Sequence, residues 1–187
     1  MVAAAERDRP LIQLLLERGA KVNASNTRGG TALMYSAMAG DVDAVEFLLG
    51  RGADADARAS NGWTALTLAA ARGFDEVVAA LLARGGDPNV PDIYGWTPLM
   101  RAVQQMRLAV VRVLLDSKRV ALDVQNENGR TALHIAAAAG LKEIASMLVT
   151  RGADIHIRDR GDKTPTALAI AEGHTAIAEI IDGAARN

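Results

Sequence analysis

GRTALHIAAAAG, residues 129–140, is the stretch that decides how this chain folds, because it recurs in four altered forms. GGTALMYSAMAG (29–40), GWTALTLAAARG (62–73), GWTPLMRAVQQM (95–106) and DKTPTALAIAEG (162–173) align with it without gaps. Their threonines, Thr31, Thr64, Thr97, Thr131 and Thr164, are spaced 33, 33, 34 and 33 residues apart. A fixed period of this length marks a repeat architecture and takes precedence over any local secondary-structure reading.

Each copy contains its own folding instructions. The threonine precedes Ala or Pro, so its hydroxyl can cap free backbone N–H groups while proline occupies a first helical position that needs no donor. Gly40, Gly73, Gly140 and Gly173 then stop the helix, since glycine accepts the left-handed conformation of a tight helix-to-helix turn. A second apolar run follows, as in VEFLLGRGAD (45–54) and ASMLVTRGAD (145–154), and predicts a second helix. RGADADARASNGW and RGGDPNVPDIYGW next combine Gly, Asp, Asn and Pro in the manner of a projecting hairpin. One helix pair cannot bury its own apolar face, but stacked copies can.

The period, the TALH and TPL strings, the inter-helix glycine, the leucine pair and the GAD turn together resemble the ankyrin repeat family over nearly the whole chain. The resemblance implies an all-α solenoid of stacked helix-turn-helix units with β-hairpin loops. Full repeats are expected at about 26–58, 59–91, 92–125, 126–158 and 159–187, with a partial or capping repeat at 1–25. ERDRPLIQLLLERGAKVNAS matches only a second helix and hairpin, which suits either an abbreviated cap or a longer array cut at this point. Asp182 and Gly183 give the last unit a polar outer face, as a capping repeat requires.

Composition removes several classes of function. The formal charge is −1, and neither half is basic enough to draw nucleic acid or an anionic membrane by its field. The absence of cysteine rules out disulfides, thiolate nucleophiles and cysteine-bound zinc. No stretch reaches the ~18 apolar residues of a membrane helix, and MVAAAERDRP does not read as a secretory signal. A monomeric cytoplasmic protein is expected, with a secreted or delivered bacterial effector as the other possibility.

The residues that could do chemistry read mostly as repeat structure. The resemblance makes His134 a histidine that bridges neighbouring repeats and His174 the His of the Gly-His turn, while His156 is a hairpin substitution. The three stand far apart in repeat order, so neither a metal triad nor a catalytic dyad is suggested. Asp41 with Asp43, and Asp54 with Asp56, suit turns and helix starts. No phosphate-binding loop occurs. Neither catalysis, a cofactor nor a metal is expected. Met34 and Met100 occupy the His slot of TPLH and are expected between repeats.

What remains is a binding face. By resemblance, the concave surface takes the residues four, three and one before each threonine and the two before the inter-helix glycine. The partner-binding residues expected there and beside it are Tyr35, Met38, Trp63, Arg72, Ile93, Tyr94, Trp96, Arg101, Gln104, Gln105 and Arg130. The third copy supplies the large ones. A Trp or Tyr offers roughly 150 to 250 Å² for burial, and Trp, Tyr and Arg dominate interface hot spots. Against this, a Trp before TPL also serves to pack against the next hairpin.

Three departures add detail. Met106 stands where other copies have glycine, so either a left-handed Met or a different helix end is required. DSKRVALDVQ (116–125) is one residue longer than its counterparts and predicts a different loop. RGDKT exchanges the usual order of Gly and its neighbour, which predicts an altered tip at Gly161 and Asp162. The function expected is a non-catalytic module that binds a protein or peptide partner on its concave face. The alternatives are a regulatory or targeting segment of a larger enzyme or effector, and a purely structural scaffold.

Overall fold

The computed structural model describes residues 1–184. The last residues of the expected fifth repeat, 185–187, lie outside the described residues. The helices come in pairs: α1 (Val2–Ala5) with α2 (Arg9–Glu17), α3 (Ala32–Ala39) with α4 (Val42–Gly50), and α5 (Ala65–Arg72) with α6 (Asp75–Ala83). They continue as α7 (Pro98–Gln104) with α8 (Leu108–Asp116), α9 (Ala132–Ala138) with α10 (Lys142–Thr150), and α11 (Pro165–Ala171) with α12 (Thr175–Ala184). First helices stack on first helices from α3 through α11, and second helices form a second layer behind them. The fold is therefore an all-α solenoid.

Every threonine caps as its position demands. Thr31, Thr64, Thr97, Thr131 and Thr164 are extended and accept the N–H of the residue three further on, at 3.2 to 3.4 Å. Pro98 and Pro165 occupy the first turns of α7 and α11. The core is built from recurring leucines and alanines: Leu33, Leu66, Leu99 and Leu133 in one layer, and Leu48, Leu81, Leu114 and Leu148 in the other, are fully buried. Ala37, Ala70 and Ala137 have no exposed surface, and the same slot in the third full copy holds an equally buried Val103.

The inter-helix turns show why glycine is needed. Gly40 and Gly140 have φ of 72° and 71°, and a Cβ on either would stand 2.8 Å from the ring of Phe74 or His174 in the following pair. In the third full pair Met106 itself adopts φ 56°, and an opening of about 220 Å³ lined by Met106, Leu108 and Leu141 lies there. A left-handed Met is thus accommodated by looser packing against its neighbour.

The loops between pairs are five tight tips rather than ladders; among the described residues there is one isolated bridge, Ser25 with Thr31, and no strand. Each tip closes on two backbone bonds, as in Asp92 N–H to Trp96 O at 2.9 Å and Gly95 N–H to Asp92 O at 3.0 Å. Successive tips are stitched together: the N–H groups of Ser60, Ile93, Glu127 and Arg160 donate to the carbonyls of Arg28, Asn61, Tyr94 and Asn128 at 2.9 to 3.2 Å.

The tip expected to differ, at Gly161 and Asp162, keeps the common geometry. Asp162 takes the left-handed position at φ 59°, and its N–H still reaches Asp159 O at 2.9 Å. The reason lies in the neighbour. A Cβ on Gly62 would stand 2.8 Å from Asp92 Cα, and one on Gly129 2.9 Å from Arg160 N, whereas the last tip has no following tip among the described residues. Aspartate also tolerates the left-handed region better than most residues. The lengthened loop after α8 does differ: Lys118 is left-handed at φ 56°, and Arg119 Nη2 reaches back to the carbonyls of Leu82 and Gly86 at 2.9 and 3.1 Å.

The two end faces are unlike. Leu11 and Leu15, at positions where later copies bury Ala44, Val77, Leu48 and Leu81, are 38% and 44% exposed. At the other end Thr166 stands in the slot of Leu133 and donates to Asp182 at 3.2 Å, while Ile170, in the slot of Ala137, is 59% exposed.

Candidate functional site: the hairpin tips and first helices

The geometry centres on Asp92, which opens the third full tip. Its Oδ1 accepts the N–H groups of Tyr94 and Trp96 at 2.9 and 3.0 Å. Its Oδ2 accepts the indole N–H of Trp63 from the preceding copy at 3.2 Å and pairs with the Arg101 guanidinium from α7. The Asp92 side chain is 1% exposed and that of Arg101 16%. Arg101 also lies over both indoles, 5.3 Å from the Trp63 ring centre and 4.5 Å from that of Trp96, within cation–π range. Burial raises the Asp92 pKa, but the Arg101 hydrogen bond and the two N–H donors outweigh it and hold the carboxyl below its ordinary value.

Both tryptophans are therefore half-buried parts of a rigid assembly, each with one face covered by Arg101. The Arg101 charge is neutralised by Asp92, and its Nη1 donates to Gln104 Oε1 at 3.1 Å. The apolar groups left facing water are Ile93 and Tyr94, 59% and 51% exposed at the tip. No other tip carries two large apolar side chains. Arg72 and Gln105 are exposed at the far ends of α5 and α7.

Tyr35, Met38 and Trp63 meet in a separate groove of about 290 Å³ between the first two full copies. The Tyr35 hydroxyl accepts from Asn26 Nδ2 at 2.9 Å. Met34, also on the groove wall, and Met100 are nearly fully buried between copies. Arg130 stands apart, its Nε 3.2 Å from Asp159 Oδ2, in the relation that Trp63 has to Asp92.

Sequence reasoning missed Asp92 as the organiser of this surface. A signal existed: in DIYGWT the aspartate precedes a turn whose free N–H groups it can accept, and an arginine follows nine residues on. The contact with Trp63, 29 residues back, was invisible without superposing the copies.

The histidines are structural in the geometry seen. His134 is fully buried, with Nδ1 at 2.9 Å from Thr131 Oγ1 and Nε2 at 3.1 Å from the Lys163 carbonyl of the next tip. Burial lowers its pKa more than the Lys163 carbonyl raises it. His174 packs against Gly140, and His156 is exposed. Among the described residues no cluster of His, Asp or Glu could hold a metal ion, and no helix is long and apolar enough to cross a membrane.

Comparison with known proteins agrees with this architecture. A family model described as ankyrin repeats (3 copies) matches residues 1–92, 39–124, 76–159 and 118–184. A crystal structure of the ankyrin repeat protein EF0377 superposes with a TM-score of 0.88 at 29% identity, covering 96% of this chain and 94% of that one. Among curated proteins, protein phosphatase 1 regulatory subunit 27 of Mus musculus is 35% identical over 79 residues, which are 42% of this chain and 51% of that protein. The potassium channel KOR2 of Oryza sativa subsp. japonica is 42% identical over 65 residues, 35% of this chain and 9% of the channel. The matched segment thus spans about half the length of the phosphatase subunit and a small part of the channel.

Proposed function

The chain belongs to the ankyrin repeat family, whose repeats are generally protein–protein interaction modules, and from that premise we propose that it binds a protein or peptide partner across its tips and first helices without catalysing a reaction. The observation that carries this reading is the exposure of Ile93 and Tyr94 on a tip held rigid from behind by Asp92, Trp63, Trp96 and Arg101. Large apolar groups presented on a pre-ordered frame lose little conformational freedom on binding, which is how rigid aromatic anchors act at interfaces. The two tryptophans and Arg101 support that tip, and Gln104, Gln105, Arg72 and Arg130 extend the surface on either side. A regulatory role, holding another protein as a subunit, is the form of this function favoured by the likeness to a phosphatase regulatory subunit.

The test is affinity capture in the native cell with the whole chain and with Ile93→Ala/Tyr94→Ala. Partners retained by the first and lost from the second, at unchanged melting temperature, are expected. Identical partner sets would overturn the reading.

A further inference from the structure

The groove between the first two full copies carries an indication of what it takes. Met34, Tyr35 and Met38 come from α3, Leu68 from α5, and the Trp63 indole closes one side. Its aromatic walls are fixed from behind, Tyr35 by Asn26 and Trp63 by Asp92 and Arg101, while the methionines are adaptable. The volume of about 290 Å³ falls at the bottom of the range for small-molecule sites, and suits one or two side chains.

Charge supplies the second, independent observation. Arg28 is the sole charged residue on the groove wall, and Arg72 follows Leu68 by one helical turn on the same face of α5. Neither has an ion pair among the described residues, in contrast to Arg101, Arg112, Arg130, Arg151 and Arg158, which are paired. Both charges at the groove are thus positive, in a chain whose formal charge is −1. Complementary potentials steer and orient partners.

Resting on the concave-face reading above, we propose that the groove takes one aliphatic or aromatic side chain of an extended acidic peptide segment, with carboxylates beside that anchor facing Arg28 and Arg72. The anchor contacts the methionines and the Trp63 edge. The carboxylates set direction along α5.

A random linear peptide library displayed on phage and selected on the full chain tests this directly. The expected winners carry a large apolar residue with Asp or Glu within a few positions. They should lose about tenfold or more in affinity to Arg28→Glu/Arg72→Glu, and also to Met38→Asp, at unchanged denaturation midpoint. Binding should weaken as salt rises, and Trp63 emission should change on binding. Winners without acidic bias, winners indifferent to the arginine and methionine changes, or no enrichment at all would each overturn it. If cellular partners are lost on changing Ile93 and Tyr94 but ignore Arg28→Glu/Arg72→Glu, this proposal fails and the broader reading stands. If they ignore both, both fail.

Discussion

Replacing Asp92 by Asn is expected to loosen the third tip by separating two tasks that one carboxylate performs. Asn keeps an oxygen for the N–H groups of Tyr94 and Trp96. The fourth full copy shows that this suffices locally, since Asn126 Oδ1 accepts Asn128 and Arg130 N–H at 2.9 and 3.0 Å. The other oxygen becomes an amide that faces two donors, the Trp63 indole and the Arg101 guanidinium. Removing one partner of a buried ion pair costs about 3 to 5 kcal/mol. Arg101 is 16% exposed and retains Gln104, so about 2 to 4 kcal/mol is the working figure. Urea unfolding followed by tryptophan fluorescence reads this site directly, because the chain's two tryptophans both lie against Arg101. A double-mutant cycle with Arg101→Leu separates the pair from the turn, and the cost of Asp92→Asn should fall by more than half in that background. A cost under about 0.5 kcal/mol, or one that is the same with and without Arg101, would refute the account. The acid limb gives a second reading. A carboxyl whose folded pKa is depressed contributes stability above its unfolded value, lost as pH falls through the folded value, so Asp92→Asn should flatten the decline below about pH 4.

His134 predicts the opposite end of the acid range. Its folded pKa lies below the ordinary imidazole value of about 6.5, so its contribution is complete above that pH and declines as the unfolded state takes up the proton first. Urea midpoints measured from pH 7.5 to 5 should fall, and the slope should lessen in His134→Gln; an unchanged slope would place the titrating group elsewhere. At the irregular inter-helix turn, Met106→Gly should stabilise the chain by about 0.5 to 1 kcal/mol, since the side chain is 67% exposed and φ is 56°. Chemical denaturation decides it, and a destabilised variant would mean that Met106 packing outweighs its backbone strain.

The fold was legible because its signals are local and repeated. Threonine caps, inter-helix glycines and the two leucine layers recur at one period, and the helices begin and end where those residues direct. The site was legible in outline only. Position in the repeat identified Trp63, Trp96 and Arg101 as neighbours of one surface, but their pairing through Asp92 depends on how far one copy is displaced from the next, which no single copy encodes. Arg101, expected at the binding face, is neutralised by Asp92 in the structure. The tip at Asp162 shows the converse case, where an altered local pattern leaves the backbone unchanged and no following tip among the described residues approaches it as Asp92 approaches Gly62.

The backbone stitches between successive tips have a consequence for how such a surface can change. Bonds from Ser60 N–H to Arg28 O and from Ile93 N–H to Asn61 O ask nothing of the side chains on those residues. Positions 27–28, 60, 93–94, 127–128 and 160–161 therefore behave as interchangeable letters mounted on a fixed rail, whereas Asn61 Oδ1 accepts the Trp63 N–H at 3.1 Å and helps to hold its own tip. On the binding reading proposed above, substitution there would alter the recognised surface while the frame continues to fold, whereas Asp92, Asn61 and the left-handed glycines belong to the rail itself.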